Sequence, residues 1–173
     1  MKKIIWTCGL IGGAITTVWF ILAEGILSNS FSLNTKMIFG YASMILAFSL
    51  IFVAVKNYRD NFNDGQIRFG KALGIGLLIT LIASTVYVVV WMIDYSYFVP
   101  DYVDKYQAQA IAELKASGAS IAEIQKKAAE ITASMATYRT SAVFRIMFTY
   151  LEIAPIGILV SLIAALILKR KSK

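Results

Sequence analysis

Glu152 and Pro155 stand three residues apart inside a long apolar run, the pairing in this sequence most able to do chemistry. A proline inside a helix removes the hydrogen bond to the carbonyl four residues earlier, here Leu151, and bends the helix. A bare carbonyl beside a carboxylate in an apolar medium suits a proton or a small cation. The alternative is structural: Glu152, carrying its proton, bonds Tyr41, Tyr87 or a serine and knits helices together. Glu24, Asp94 and Arg145 are the other ionisable residues at this level. By helix rise, Arg145 lies about 10 Å above Glu152, Tyr41 falls near its depth and Tyr87 a little deeper. The expected site is a polar layer in one half of a helix bundle, drawn from Glu152, Glu24, Arg145, Tyr41, Tyr87, Asp94 and Pro155.

Catalytic signals are missing. The chain has no histidine. It contains no H-E-x-x-H, no G-x-S-x-G and no glycine-rich phosphate loop after a strand. Gly74-Ile75-Gly76 falls inside an apolar run and reads as packing. The single cysteine, Cys8, excludes a disulfide or a cysteine metal site within one chain. No catalytic residue, metal or cofactor is expected, and the chain reads as not an enzyme.

The elements that must position these residues are long and oily. Hydrophobic residues make up 58% of the 173 positions, and mean hydropathy is +0.69. Four apolar runs, at about 4–27, 37–55, 70–93 and 143–168, are each long enough to cross a bilayer as a helix. In lipid only helices and closed barrels satisfy the backbone, and these runs lack the alternation of a barrel strand. The fold class is therefore all-α: a polytopic membrane protein with four transmembrane helices, forming one domain over 1–173. Small residues recur every fourth position: Gly9 and Gly13; Gly76, Thr80 and Ser84; Gly157 and Ser161. Such stripes let helices approach closely, within the bundle or against a second copy.

Charge sets the orientation. The termini and the second connection carry ten basic residues against Asp60 and Asp64, whereas the first and third connections balance six against six. This positive-inside pattern puts both termini in the cytoplasm. Cleavage of the first run as a signal peptide would leave the same orientation. Its length and the lack of an A-x-A site favour a retained helix. The basic excess sits at membrane flanks, so no nucleic-acid partner is expected. The expected partners are the bilayer and a membrane protein or a second copy.

The connections differ in kind. Asn63-Asp64-Gly65 marks a turn in the second, which reads as a solvated loop with aromatic residues able to dip into the interface. The third is too long for a plain loop. Pro100 suits the first turn of a helix ending near Ser117, and Gly118 suits its stop. Ser120 and Glu123 then form a capping box. Ile121, Ile124, Ala128, Ile131, Met135 and Tyr138 follow in alternating steps of three and four, one continuous apolar seam. The expectation is an extramembrane antiparallel helical hairpin over about 100–138, either a docking module or a unit that only satisfies itself.

Three motifs carry a family resemblance: Lys56-Asn57-Tyr58-Arg59-Asp60; Gly65-x-Ile67-x-Phe69-x-Lys71-Ala72; and Phe148-x-x-Leu151-Glu152-x-x-Pro155-x-Gly157 with Ser161-Leu162-Ile163 and a basic tail. In this order the chain resembles the bacterial membrane family catalogued as domain of unknown function 4199. The resemblance implies the four-span layout, a helical third connection and the bacterial inner membrane, and it implies no activity. The leading expectation is a non-enzymatic scaffold or accessory subunit acting through helix contacts. The alternative is proton or small-cation transport around Glu152.

Overall fold

The structure is a computed structural model that describes residues 1–22 and 31–170. Seven helices follow in order: α1 (Lys2–Ile21), α2 (Leu33–Phe48), α3 (Leu50–Phe62), α4 (Phe69–Tyr97), α5 (Tyr102–Ala116), α6 (Ile121–Thr140) and α7 (Ala142–Leu168). α2 and α3 continue one another across Ser49 as a single rod, Leu33–Phe62, so four rods are long and apolar enough to cross a membrane. α5 and α6 form the hairpin between the third and fourth rods.

The second rod extends past its apolar run. Positions 56–62, expected as loop, are the last turns of α3. Long basic side chains let a helix continue beyond the hydrocarbon, because they keep their charge in water while their stems pack. The loop proper turns at Asp64 (φ 49°) and Gly65 (φ 74°). Ile67 then exchanges both backbone hydrogen bonds with Arg170, at 3.0 and 2.9 Å. Pro100 stands just before the N-cap Asp101 rather than in the first turn of α5.

α4 is the hub of the bundle. A Cβ on Gly9 or Gly13 would lie 2.7 Å from Ile82 or 2.6 Å from Val86, so α1 touches α4 almost backbone to side chain. α7 meets α4 in the same way. A Cβ on Gly76 would lie 2.6 Å from the hydroxyl of Ser161, and one on Gly157 would run into Thr80. The Thr80 and Ser161 hydroxyls are 3.3 Å apart, and Ser161 also donates to the carbonyl of Gly157 at 2.7 Å. Ser84 is fully buried on α4. α3 joins this packing against α4 and α7 on the termini side, with its Ile51, Ala54 and Val55 fully buried beside Phe48 at the end of α2.

The hairpin follows the sequence pattern closely. Gly118 takes φ 81° at the end of α5. Ser120 and Glu123 form both capping-box hydrogen bonds, and the Glu123 carboxyl, accepting from the Ser120 N–H and hydroxyl, is held below its ordinary value. Ile131 and Tyr138 are buried along the α6 seam, as are Val103 and Ala110 on α5, and Val103 and Tyr138 share one apolar cluster. Ile121, at the start of the seam, is exposed.

Candidate functional site

The hairpin does not stand clear of the bundle. It folds back as a roof, and two polar clamps hold it down. The first lies where α6 passes into α7. Arg145 Nη1 donates to the carbonyls of Tyr138 and Arg139 at 2.8 and 3.0 Å. These belong to the last turn of α6, whose carbonyls lack helical donors and carry the negative end of the helix dipole. The guanidinium also lies 4.2 Å from the centroid of the Tyr95 ring. Beside it, Trp91 Nε1 donates to the Tyr138 hydroxyl at 2.7 Å. Burial, aided by the charge of Glu152, pushes that hydroxyl up to about 12 against the opposing effect of the Trp91 hydrogen bond.

The second clamp lies where α2 begins. The Leu33 N–H donates to Glu113 Oε1 of α5 at 2.8 Å. Leu33 is the first residue of α2, so the carboxylate satisfies an orphan donor at the positive end of the helix. Gln109 reinforces the joint: its Nε2 donates to the Phe31 carbonyl at 2.8 Å and to Glu113 at 3.0 Å, and Lys36 Nζ donates to its Oε1 at 3.1 Å.

Between roof and bundle is a cleft of about 1280 Å³. Its walls are Thr16, Trp19 and Phe20 of α1, Tyr41 and Met44 of α2, Tyr87 and Trp91 of α4, and Thr149, Leu151 and Glu152 of α7. Tyr102, Tyr106 and Glu113 of α5 and Met135 and Tyr138 of α6 cover it. Trp91 is the centre of its aromatic lining, 4.7 Å from Phe20 and 4.9 Å from Tyr102 by ring centroid, both edge-on. Each such pair contributes about 0.5–1.5 kcal/mol beyond area burial. Adjoining the cleft at Met44 is a packed apolar core, in which Met44, Phe48, Ile79 and Ile153 are each at most 3% exposed.

The polar layer expected from sequence is thus divided. Glu152, Tyr41 and Tyr87 share the cleft. Arg145, only 9% exposed, belongs to the roof clamp and makes no ion pair with Glu152. Asp94 is half-buried near the end of α4, and Pro155 sits a turn below Glu152; neither lines the cleft. Glu24 lies outside the described residues. Among the described residues, none gives the Glu152 carboxylate a hydrogen bond or an ion pair.

Glu113, Gln109, Trp91 and Tyr138 were not marked as site residues by the sequence. Tyr138 sits at a seam position, and Trp91 and Tyr95 are one turn apart on α4, so their convergence had a weak signal. Glu113 had none, because its partner is eighty residues earlier.

The model of a family described as protein of unknown function (DUF4199) matches residues 7–170. No curated protein and no solved structure matches the chain.

Proposed function

We propose, for a chain that belongs to the DUF4199 family, a role as a non-enzymatic membrane protein that receives a cationic ligand in the cleft beneath α5 and α6. The positive-inside pattern supports placing the termini in the cytoplasm of a bacterial inner membrane, which turns the cleft outward. The observation that carries the reading is Glu152. It is accessible in a ring-lined cleft at membrane depth, and no described residue satisfies its carboxylate. A charge there costs about 2.5–3.5 kcal/mol on insertion scales, and a bound cation offsets that cost.

Two features favour binding over the other readings. The packed apolar core beside the cleft argues for a receptor site rather than an open path for ions. The hairpin's apolar residues are turned onto each other and the bundle, leaving Ile121 as its exposed large apolar residue among those described. A scaffold working through the hairpin would have little apolar surface with which to hold a partner.

The test is the unfolding temperature of the detergent-solubilised protein across sodium, potassium, magnesium and ethanolammonium chlorides at matched ionic strength. At least one cation is expected to raise the midpoint by several degrees in wild type and not in Glu152→Gln. Identical responses of the two proteins to the whole panel would overturn the reading.

A further inference from the structure

We infer that the cation this cleft takes is an organic ammonium group. This rests on the binding role proposed above and adds the class of ligand. Hard metal ions seek six or more oxygen ligands in a close shell. The described lining holds two carboxylates, and one of them, Glu113, is already engaged by Leu33 and Gln109. Among the described residues no group of three or more acidic, histidine or cysteine side chains gathers anywhere. A space of about 1280 Å³ is also far larger than a bare ion needs. What the cleft does offer is rings. Phe20, Tyr41, Tyr87, Trp91, Tyr102 and Tyr106 come from four helices onto one volume that holds, among the described residues, a single carboxylate left unsatisfied by them. Aromatic faces attract ammonium ions through the ring quadrupole, and substituted ammonium ions are the cations aromatic cages recognise. The carboxylate supplies the countercharge that a ring cannot.

The α2 and α7 walls of the cleft also carry exposed residues. Tyr41 and Leu151, on its α2 and α7 walls, are 42% and 69% exposed at a level where the surroundings are lipid. An ammonium group can therefore arrive on an aminophospholipid from the membrane or on a free amine from the aqueous side.

Trp19 and Trp91 line the cleft, so intrinsic fluorescence reports its occupancy. Wild-type protein in detergent is titrated with ethanolammonium, choline, sodium and magnesium chlorides. Wild-type protein in nanodiscs of phosphatidylglycerol, with and without phosphatidylethanolamine, forms the second arm. A saturable change with the organic cations in detergent supports a free amine. A change confined to nanodiscs containing phosphatidylethanolamine supports the lipid headgroup. Either change is expected to vanish in Glu152→Gln. Tyr41→Leu, which removes an exposed ring and no charge, is expected to weaken binding about tenfold. It also keeps the test decisive should Glu152→Gln fail to fold. Sodium or magnesium producing the Glu152-dependent change while both organic sources are silent overturns the ligand class and leaves the binding role standing. Silence from every cation in both arms overturns both. Tyr41→Leu binding organic cations as tightly as wild type overturns the aromatic contribution and with it the inference.

Discussion

Glu113 on α5 accepts the backbone N–H of Leu33, at the first turn of α2, at 2.8 Å. One side chain thereby closes a helix terminus eighty residues away and fixes the free end of the hairpin to the bundle. Glu113→Ala removes both effects. We expect a loss of about 1–2 kcal/mol and faster amide hydrogen exchange in α5 and at the start of α2. Exchange rates in α5 matching wild type would show that something else holds the hairpin.

Arg145 closes the other end with two carbonyl hydrogen bonds and a stacked ring. A lysine is a point charge and cannot reproduce the planar fork that does both. Arg145→Lys should lower stability by about 1–2 kcal/mol, and Arg145→Met by more, since the α6 carbonyls then lose their charged donor. Thermal melts of the two variants in detergent check this order. A lysine variant as stable as wild type would refute the clamp.

The α4–α7 contact has an internal control. A Cβ at Gly157 runs into Thr80 and lies 2.8 Å from Phe48, whereas one at Gly74 meets nothing within 4 Å. Gly157→Ala should destabilise by about 1–3 kcal/mol through overpacking. Gly74→Ala should be neutral or slightly stabilising, within about 1 kcal/mol. Equal melting temperatures for the pair would mean that the two helices are not packed this closely.

Tyr138 gives the protein an alkaline limit. Its hydroxyl is raised to about 12 in the folded protein, chiefly by burial, above its ordinary value of 10.0. Below pH 10 both folded and unfolded chains hold the proton, and the contribution to stability is complete. Between about pH 10 and 12 the unfolded chain releases it first, and stability falls by about 1.4 kcal/mol per pH unit. Tyr138→Phe lacks this decline, although at neutral pH it loses the acceptor of Trp91 at a cost of about 1 kcal/mol. Urea titrations of both proteins from pH 8 to 12 should show the gap between them closing. A constant gap would contradict the buried hydroxyl.

Local pattern carried much of the fold. The four rods follow from run length, the stop at Gly118 from a residue that tolerates positive φ, and the turn into α6 from the spacing of Ser120 and Glu123. The roof did not follow, because a contact such as Glu113 with Leu33 leaves no period in the sequence. Arg145 is the instructive case. Its place on one helix with Glu152 put it in the same expected polar layer. Side chains on a helix lean toward its N-terminus, so Arg145 points up to α6 and away from the carboxylate below it. That rule was available from sequence and would have separated the two charges. The end of the second rod was hidden for another reason: Lys56 and Arg59 resemble a loop by composition, yet a helix end in water tolerates them well.

The exchange of hydrogen bonds between Ile67 and Arg170 carries a consequence for assembly. Nothing synthesised before α7 can complete that pair, so the turn after α3 waits for the fourth rod. Until then α4 is anchored to its neighbours only along its length. The bundle is latched at its base by the fourth rod, and a chain halted before that point would hold the first three rods with the latch still open.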